Sequence, residues 1–252
     1  MNALDRWRSE LAGWAIPPEI LAQAPEPPWG FPVEMFRAQD DPADSPSRRV
    51  AAQALGDGGS VLDVGCGGGA AAMAVVPPAG HVAGVDSSAD MLAAFAEAAE
   101  SKGVAHQEHQ GEWPLIATGV AIADVVLCHH VFYNVAELPP FVAALSGHAR
   151  RRVVIEMTAA HPLTALAPLW RHFHGIDRPD GPTASLAEQV LREHGVEPVV
   201  ETWTRPARNV PREVYVRMNR RRLCLPVDAE PEVDRLMGDI ATAGRNVVTM
   251  SW

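Results

Sequence analysis

The chain has 252 residues, which suits one α/β domain with a cap or at most two small domains, and its 47% hydrophobic and 21% charged residues exclude a disordered chain. Its formal net charge is −10. An acidic chain disfavours non-specific binding to nucleic acid, which depends on Lys and Arg neutralising phosphates, so a small-molecule partner is the simpler expectation.

The first 44 residues are predicted to form a helical, proline-rich lid before a main domain that spans residues 45–252. Four apolar residues fall on one stripe of a short amphipathic helix, namely Leu4, Trp7, Leu11 and Trp14. Further short helices are expected at 18–24 and 32–39. The aromatic residues Trp29, Phe31 and Phe36 either line the lid or serve as packing anchors.

Signals for export, membranes or metal binding are missing from the sequence. The start, MNALDRWRSE, lacks an apolar signal segment, and no run of about 18 apolar residues occurs. The three cysteines, Cys66, Cys128 and Cys224, are far apart and form no CxxC pair. We therefore expect a cytoplasmic protein without membrane contact, disulfide framework or zinc site.

Residues 60–71, SVLDVGCGGGAA, predict a buried strand, a glycine turn and a helix. Glycines at 65, 67 and 69 allow positive φ and bring a ligand against bare peptide groups, which face it together with the helix N–H groups. The spacing of Gly65, Gly67 and Ala70 also fits the dinucleotide pattern GxGxx(G/A), so a nicotinamide enzyme stays an alternative. Asp63, just before the turn, would repel a pyrophosphate and attract an ammonium.

A second strand, 81–85, ends at Asp86, 21 positions after Gly65. A right-handed βαβ unit would put the ends of both strands side by side, where a carboxylate can accept both ribose hydroxyls. Alternatively Asp86 caps the next helix, 89–101, although Ser87 or Ser88 could do so instead. Met91 on that helix either forms an apolar wall beside an adenine or belongs to the core.

A third strand, 104–109, is followed by GEWPL, and a fourth, 121–128, is almost wholly apolar, as a central parallel strand should be. Its carboxyl end carries HHVFYN. Ligands bind beyond the carboxyl ends of such strands, so these residues would lie at the reaction centre: Cys128, His129, His130 and Tyr133. The two histidines could instead be hydrogen-bonded loop elements, and no third residue with ligand spacing favours a metal.

The phrase LDVGCGGG resembles motif I of class I S-adenosylmethionine-dependent methyltransferases. The acidic end of the second strand, the GEW stretch and the strand DVVL extend this resemblance from 61 to about 157. It implies a doubly wound, seven-stranded, mainly parallel, Rossmann-like sheet with helical additions at both ends. It also implies S-adenosylmethionine as cofactor and S-adenosylhomocysteine as product.

The resemblance assigns cofactor binding to these residues: Asp63, Gly65, Gly67, Gly69, Asp86, Ser87, Met91, Glu112, Trp113, Cys128 and His129. Glu112 would reach the adenine amino group and Trp113 would stack on the ring, unless the stretch is a surface turn with a buried Trp. His130 is the candidate base. The departures are the Ser-Ser pair after Asp86 and Glu112 in place of Asp. A nicotinamide oxidoreductase and a non-catalytic binding protein remain alternatives.

The rest of the chain predicts helices at 139–148 and 185–195, strands at 151–157, 196–204 and 245–252, and a helical insertion at about 205–244. Two polar clusters occur here. His161, His172, His174 and Asp177 either line an acceptor pocket or are solvated loop residues, which we prefer. Arg217, Arg220, Arg221 and Arg222 either meet an anionic acceptor or form a solvated, carboxylate-paired face, which we also prefer.

Overall fold

A computed structural model of the chain describes residues 1–29, 44–206, 210–238 and 244–252. The expected helix at 32–39, with Phe31 and Phe36, lies outside these residues. The remaining predicted elements fall largely within them, so the fold can be compared with the sequence-based expectation strand by strand.

Seven strands form one sheet in the order β3-β2-β1-β4-β5-β7-β6. Their bounds are β1 Ser60–Val64, β2 His81–Asp86, β3 Ala105–Gln110, β4 Ala123–His129, β5 Ala149–Thr158, β6 Val199–Arg205 and β7 Arg245–Ser251. All adjacent pairs are parallel except those of β7, which runs antiparallel to β5 and β6. The doubly wound, mainly parallel sheet predicted from the sequence is confirmed.

Ten α-helices lie within the described residues. Their bounds are α1 Ala3–Ala12, α2 Pro18–Leu21, α3 Pro46–Leu55, α4 Ala70–Met73, α5 Ala89–Lys102, α6 Leu138–Gly147, α7 Ala167–His174, α8 Ala184–Glu193, α9 Arg212–Arg222 and α10 Glu230–Met237. The segment that begins at residue 212 is a helix, although the alternation of its apolar residues would also suit a strand. None of these helices is long and apolar enough to cross a bilayer.

The two faces of the sheet bury separate apolar cores. Helices α1, α6 and α8 cover one face, with Trp7 fully buried and its indole N–H donating to the Val135 carbonyl at 2.8 Å. Helices α3, α4 and α5 cover the other, around Phe95. Helix α1 therefore packs in the core of the sheet. The lid boundary at residue 44 stays a prediction, but α1 is not part of a separate layer.

A third apolar cluster, here called the cap cluster, lies apart from both sheet cores. It contains Trp14, Leu166, Leu169, Trp170, Val216, Leu223, Val233 and Met237. Three separate stretches supply these residues: the segment after α1, the segment between β5 and α8, and the insertion between β6 and β7. Both insertions leave the sheet where parallel strands end, so the cap cluster belongs to the carboxyl edge of the sheet.

The cap corrects two expectations about polar side chains. His161 is not solvated, because only 6% of it is exposed and its ring stacks on Trp14 at 4.5 Å. Arg220 is not solvated either, since it is 2% exposed. The carboxylate pairing expected for this cluster does occur, because Glu26 lies 2.7 Å from Arg220 and 3.2 Å from Arg221.

Candidate active site

The glycine loop between β1 and α4 has the predicted backbone. Gly65, Gly67 and Gly69 have φ of +72°, +52° and +84°, in the left-handed region that suits glycine. A Cβ at Gly65 would collide with the side chain of Val131, which follows β4. The absence of a side chain at position 65 therefore lets the loop and the end of β4 approach each other closely.

The N–H groups of the loop are largely used by the protein itself. Gly65 and Cys66 donate to the Val85 carbonyl at 2.8 and 3.1 Å, and Gly69 donates to the Cys66 carbonyl at 2.9 Å. Gly67 donates to Asp86 Oδ2 at 2.9 Å. The helix that follows, α4, is only four residues long. The loop consequently offers fewer free N–H groups to a ligand than its glycine content suggested.

Asp63 is buried under the loop, with 1% of its surface exposed. Its Oδ2 accepts a hydrogen bond from the Ala72 N–H of α4 at 3.2 Å. Burial raises the pKa of Asp63 to about 7, opposed by that hydrogen bond and assisted by the charge of Asp86. In this geometry Asp63 fixes α4 against β1, and direct contact with a cofactor ammonium stays a prediction.

Asp86 ends β2 beside the glycine loop, as predicted. Its two carboxylate oxygens accept from the N–H groups of Gly67 and Ser88, each at 2.9 Å. Ser88 caps α5 through its hydroxyl, so Asp86 is not needed as the cap. The half-buried carboxylate therefore holds the loop and the start of α5 together and still has lone pairs for hydroxyl groups of a ligand.

The residues predicted around an adenine differ in how exposed their side chains are. Ser87 is exposed, and Met91 is half-buried and belongs to none of the three apolar clusters, which leaves its side chain available for a ligand wall. Glu112 is exposed. Trp113 instead packs against the α6 side of the sheet, edge-on to His148 at 4.8 Å. The geometry thus favours the buried-Trp alternative for position 113.

At the end of β4, Cys128 and His129 face opposite sides of the sheet, although both are predicted to contact the cofactor. Cys128 is fully buried in the core on the α6 side, and its contact with the cofactor stays a prediction. His129 points to the other face, and burial lowers its pKa to about 4, which keeps the ring neutral. Its Nε2 is buried and finds no hydrogen-bond partner among the described residues. A ligand atom could satisfy it.

His130 lies at the predicted edge, in a polar network. Its backbone has φ of +60°, unusual for a residue with a side chain. Ring atom Nδ1 lies 2.8 Å from the Tyr133 hydroxyl, and Nε2 lies 2.7 Å from Arg205 Nη1 and 3.2 Å from Glu156 Oε1. Because a guanidinium has donors but no acceptor, Nε2 accepts from Arg205 in the neutral tautomer with its proton on Nδ1. When Nε2 itself carries a proton, it donates to Glu156 Oε1 instead.

Glu156 supports this network from β5 and was missed by the sequence analysis. Burial by itself raises the pKa of this carboxyl, but contacts with His130, His129 and the Ser47 hydroxyl outweigh it and lower the pKa to about 2. Burial raises the pKa of Tyr133 to about 12. A signal was present, since Glu156 is the one charged residue in the apolar run VVIEM.

Two observations show that these residues fit a nucleoside cofactor with a polar tail. The half-buried Asp86 carboxylate keeps lone pairs for ligand hydroxyls, and His129 Nε2 at the end of β4 is an orphaned buried polar atom. No group of three or more His, Cys, Asp and Glu residues in the described ranges is placed to hold a metal ion.

Comparison with known families agrees with this geometry. Residues 61–151 match the family model described as a methyltransferase domain. The match covers the glycine loop, Asp86 and both histidines after β4. It confirms the family resemblance inferred from the motifs. No curated protein matches the sequence significantly.

Solved structures share the fold at low sequence identity. Magnesium protoporphyrin IX methyltransferase (ChlM) from Synechocystis PCC 6803, solved with bound SAH, is 16% identical, with 98% of this chain and 92% of that chain covered and a TM-score of 0.53. A putative sarcosine dimethylglycine methyltransferase from Galdieria sulphuraria is 15% identical over 81% and 82% of the chains, with a TM-score of 0.53. The YcgJ protein from Bacillus subtilis is 15% identical over 81% and 96%, with a TM-score of 0.52.

Proposed function

We propose that this chain, a class I S-adenosylmethionine-dependent methyltransferase, transfers the methyl group to a nucleophilic O, N, S or C atom of a small-molecule acceptor. The observation that carries the proposal is the carboxylate of Asp86 bound to the N–H of Gly67 within the glycine loop. The family match over residues 61–151 supports the same reading.

The loop argues against a dinucleotide, the main alternative. A pyrophosphate needs free N–H groups at a glycine loop. Here the N–H groups of Gly65, Cys66, Gly67 and Gly69 all donate within the protein. A second anion would also lie beside the Asp86 carboxylate and be repelled. A cofactor with a ribose and a cationic tail, but no phosphate, suits this site better.

The proposed contacts follow from these positions. Asp86 accepts the ribose hydroxyls, Met91 forms an apolar wall for the adenine, and Glu112 is close enough in sequence to the end of β3 to meet its amino group. His129 Nε2 pairs with a polar atom of the methionine portion, which satisfies the orphaned nitrogen.

The cofactor supplies a methyl group on a sulfonium, which leaves as a neutral thioether and keeps the electron pair of the broken carbon–sulfur bond. The protein therefore has to align the acceptor and exclude water. The cap cluster at the carboxyl edge suits the second task. A base is required where the acceptor atom carries a proton that must leave.

His130 is proposed as that base, with one condition set by the geometry. Its Nε2 lone pair is engaged by Arg205 at 2.7 Å, so the acceptor has to draw Arg205 away before Nε2 can take a proton. Once protonated, Nε2 can donate to Glu156 Oε1, which lies 3.2 Å away. The negative charge of Glu156 beside the ring stabilises the imidazolium that forms.

Isothermal titration of the protein with S-adenosylmethionine, S-adenosylhomocysteine and NAD⁺ tests the cofactor. We expect the first two to bind and NAD⁺ not to bind. Asp86→Ala should weaken binding roughly 100-fold or more, because charge-assisted hydrogen bonds are lost. Asp90→Ala, an exposed carboxylate at the start of α5, is the matched control. Unchanged affinity in Asp86→Ala would refute the ribose assignment.

Turnover separates the enzyme from a binding protein of the same fold. Tritiated S-adenosylmethionine is incubated with the protein and a small-molecule metabolite extract, and labelled products are resolved by chromatography. We expect a labelled acceptor. A protein that binds S-adenosylhomocysteine yet labels nothing across such extracts would support the non-catalytic alternative.

A further inference from the structure

Three arginines crowd the carboxyl edge of the sheet beside His130. They are Arg205 at the end of β6, Arg245 at the start of β7 and Arg222 at the end of α9, together called the arginine edge. Arg205 and Arg245 are direct partners in the β6–β7 register, so both side chains project from the same face of the sheet.

Like charges placed directly opposite each other in a sheet are destabilising. Burial lowers the pKa of Arg222 to about 10, and the positive charge of Arg245 contributes to this shift, so the two guanidinium groups repel each other. This concentration of positive charge lies in a chain whose formal net charge is −10. A cationic cluster in an acidic protein attracts anions to one location.

The described residues supply little negative charge to Arg205 and Arg245. Glu156 Oε1 is 3.7 Å from Arg205, and the same oxygen is already shared with His130. Arg245 is exposed, and no acid in the described ranges lies within 4.0 Å of its guanidinium. The positive charge at Arg245 is thus available to a ligand.

The arginine edge adjoins the acceptor side of the site. Arg205 touches His130, and the charge of Arg245 acts on the Tyr133 hydroxyl. The ring of His161 lies edge-on to Tyr133 at 5.9 Å, and its other face stacks on Trp14. Arginines and aromatic rings therefore flank the group proposed as the base.

We propose that the arginine edge binds an anionic oxygen group of the methyl acceptor, a carboxylate or a phosphate. This inference rests on the proposed function. Guanidinium groups recognise both oxyanions through paired N–H donors. An oxyanion between Arg205 and Arg245 relieves their repulsion. It also draws Arg205 from Nε2 of His130, which frees that nitrogen when the acceptor is bound.

Ligand-detected NMR on protein saturated with S-adenosylhomocysteine tests this assignment directly. The probes are benzoate, phenyl phosphate and the uncharged benzamide. We expect saturation transfer to at least one anion and none to benzamide, and the stronger anion identifies the preferred group. Arg245→Gln should weaken that binding about tenfold or more, and Arg245→Lys should restore most of it.

Arg235→Gln is the matched control, since Arg235 is exposed on α10 and pairs with Glu232 away from the arginine edge. It should bind the probes as the unmodified protein does. Equal transfer to benzamide, no transfer to either anion, or anion binding unchanged in Arg245→Gln would each overturn the proposal.

A second measurement keeps this proposal distinct from the proposed function. The metabolite extract is separated by charge on ion-exchange resin before it is added with tritiated S-adenosylmethionine. Label in the anionic fraction, reduced in Arg245→Gln while cofactor affinity is unchanged, supports the arginine edge. Label confined to neutral or cationic fractions overturns it and leaves the methyltransferase intact. Failure of the protein to bind the cofactor overturns the proposed function, and the NMR probes then decide the anion site alone.

Discussion

At the scale of single residues, two glycines provide a matched test of the loop. Gly65 and Gly103 have φ of +72° and +64°, so an alanine is strained at either position by about 1 kcal/mol. A Cβ at Gly65 also meets Val131, whereas among the described residues no heavy atom lies within 4 Å of one at Gly103.

Gly65→Ala should therefore displace the loop from the end of β4 and lower affinity for S-adenosylhomocysteine by about tenfold or more, measured by titration calorimetry. Gly103→Ala should lose a similar amount of stability and keep its affinity. Equal losses of affinity in both variants would show that backbone strain, and not the contact with Val131, sets the loop geometry.

His130 gives a second prediction at this scale. For an acceptor that carries a proton, His130→Asn should lower kcat by about 100-fold or more, since general-base catalysis contributes on this order. Cofactor affinity should change little, because the ring contacts Tyr133, Arg205 and Glu156. Steady-state rates on the labelled acceptor fraction measure the effect. An unchanged kcat would remove the base from the mechanism.

Tyr133→Phe is the companion variant to His130→Asn. It removes the hydroxyl that contacts Nδ1 at 2.8 Å and keeps the buried ring. A positioning role for Tyr133 predicts a smaller loss of kcat than in His130→Asn. A larger loss in Tyr133→Phe would shift the proton-transfer role to the phenol.

Sequence patterns placed Asp86 and His130 correctly because both follow apolar strands whose ends meet at one edge. They did not assign Cys128 to a face of the sheet, although the alternation along a strand contains that information. His129 lies on the α3 side, so its neighbour Cys128 must face α6. Glu156 is a lone charge in an apolar strand, which indicates a functional residue. Its pairing with His130, however, depends on the register between β4 and β5, which a local sequence pattern does not contain.

At the scale of elements, the order of strands and helices was predictable, because each apolar run is bounded by a glycine, a proline or a polar turn. The cap was not. Trp14 donates its indole N–H to the Gly181 carbonyl at 2.6 Å, across 167 positions of sequence. The guanidinium of Arg178 lies 3.9 Å from the Trp170 ring and 5.9 Å from that of Trp14. Such contacts join elements that are far apart in the sequence. The apolar pattern within each element therefore does not predict them.

Trp14 should hold the cap to the site, and its removal tests that role. Trp14 is 5% exposed, so Trp14→Ala should cost about 3–5 kcal/mol of unfolding free energy through the cavity it leaves. It also removes the stacking partner of His161. Denaturant unfolding measures the loss, and limited proteolysis locates it in the cap.

Trp29→Ala is the control for the cap, since Trp29 is 52% exposed and should lose less than about 0.5 kcal/mol. If Trp14→Ala were as stable as Trp29→Ala, the cap cluster would not behave as a packed core. If the loss appeared with protease cuts spread through the sheet, Trp14 would belong to the main core instead.

At the scale of the whole molecule, charge is not distributed evenly. The formal net charge is −10, yet the carboxyl edge of the sheet combines two acids with a pair of arginines. Asp63 lies in β1 and Asp86 ends β2, while Arg205 and Arg245 lie beyond β5 in the sheet order. Under the two proposals made above, the acids would face a cationic cofactor and the arginines an anionic acceptor.

The buried acid under the loop makes stability depend on pH in a defined direction. Burial raises the pKa of Asp63 from 3.8 to about 7. The folded state therefore binds more protons than the unfolded state between these values, and this group lowers the unfolding free energy as pH rises from about 4 to about 7. The steepest slope from one such group is about 1.4 kcal/mol per pH unit.

Asp63→Asn keeps the shape and an oxygen to accept the Ala72 N–H, so it should remove that slope. Relative to the unmodified protein, the variant should gain stability progressively from pH 4 to pH 7 and hold a constant advantage above. Denaturant unfolding at half-unit pH steps measures the difference. Asp90→Asn removes an exposed carboxylate and controls for net charge. A difference that stayed flat, or that shrank as pH rose, would mean that Asp63 is ionised in the folded protein without penalty. The carboxylate under the glycine loop would then have to be stabilised by a nearby cation.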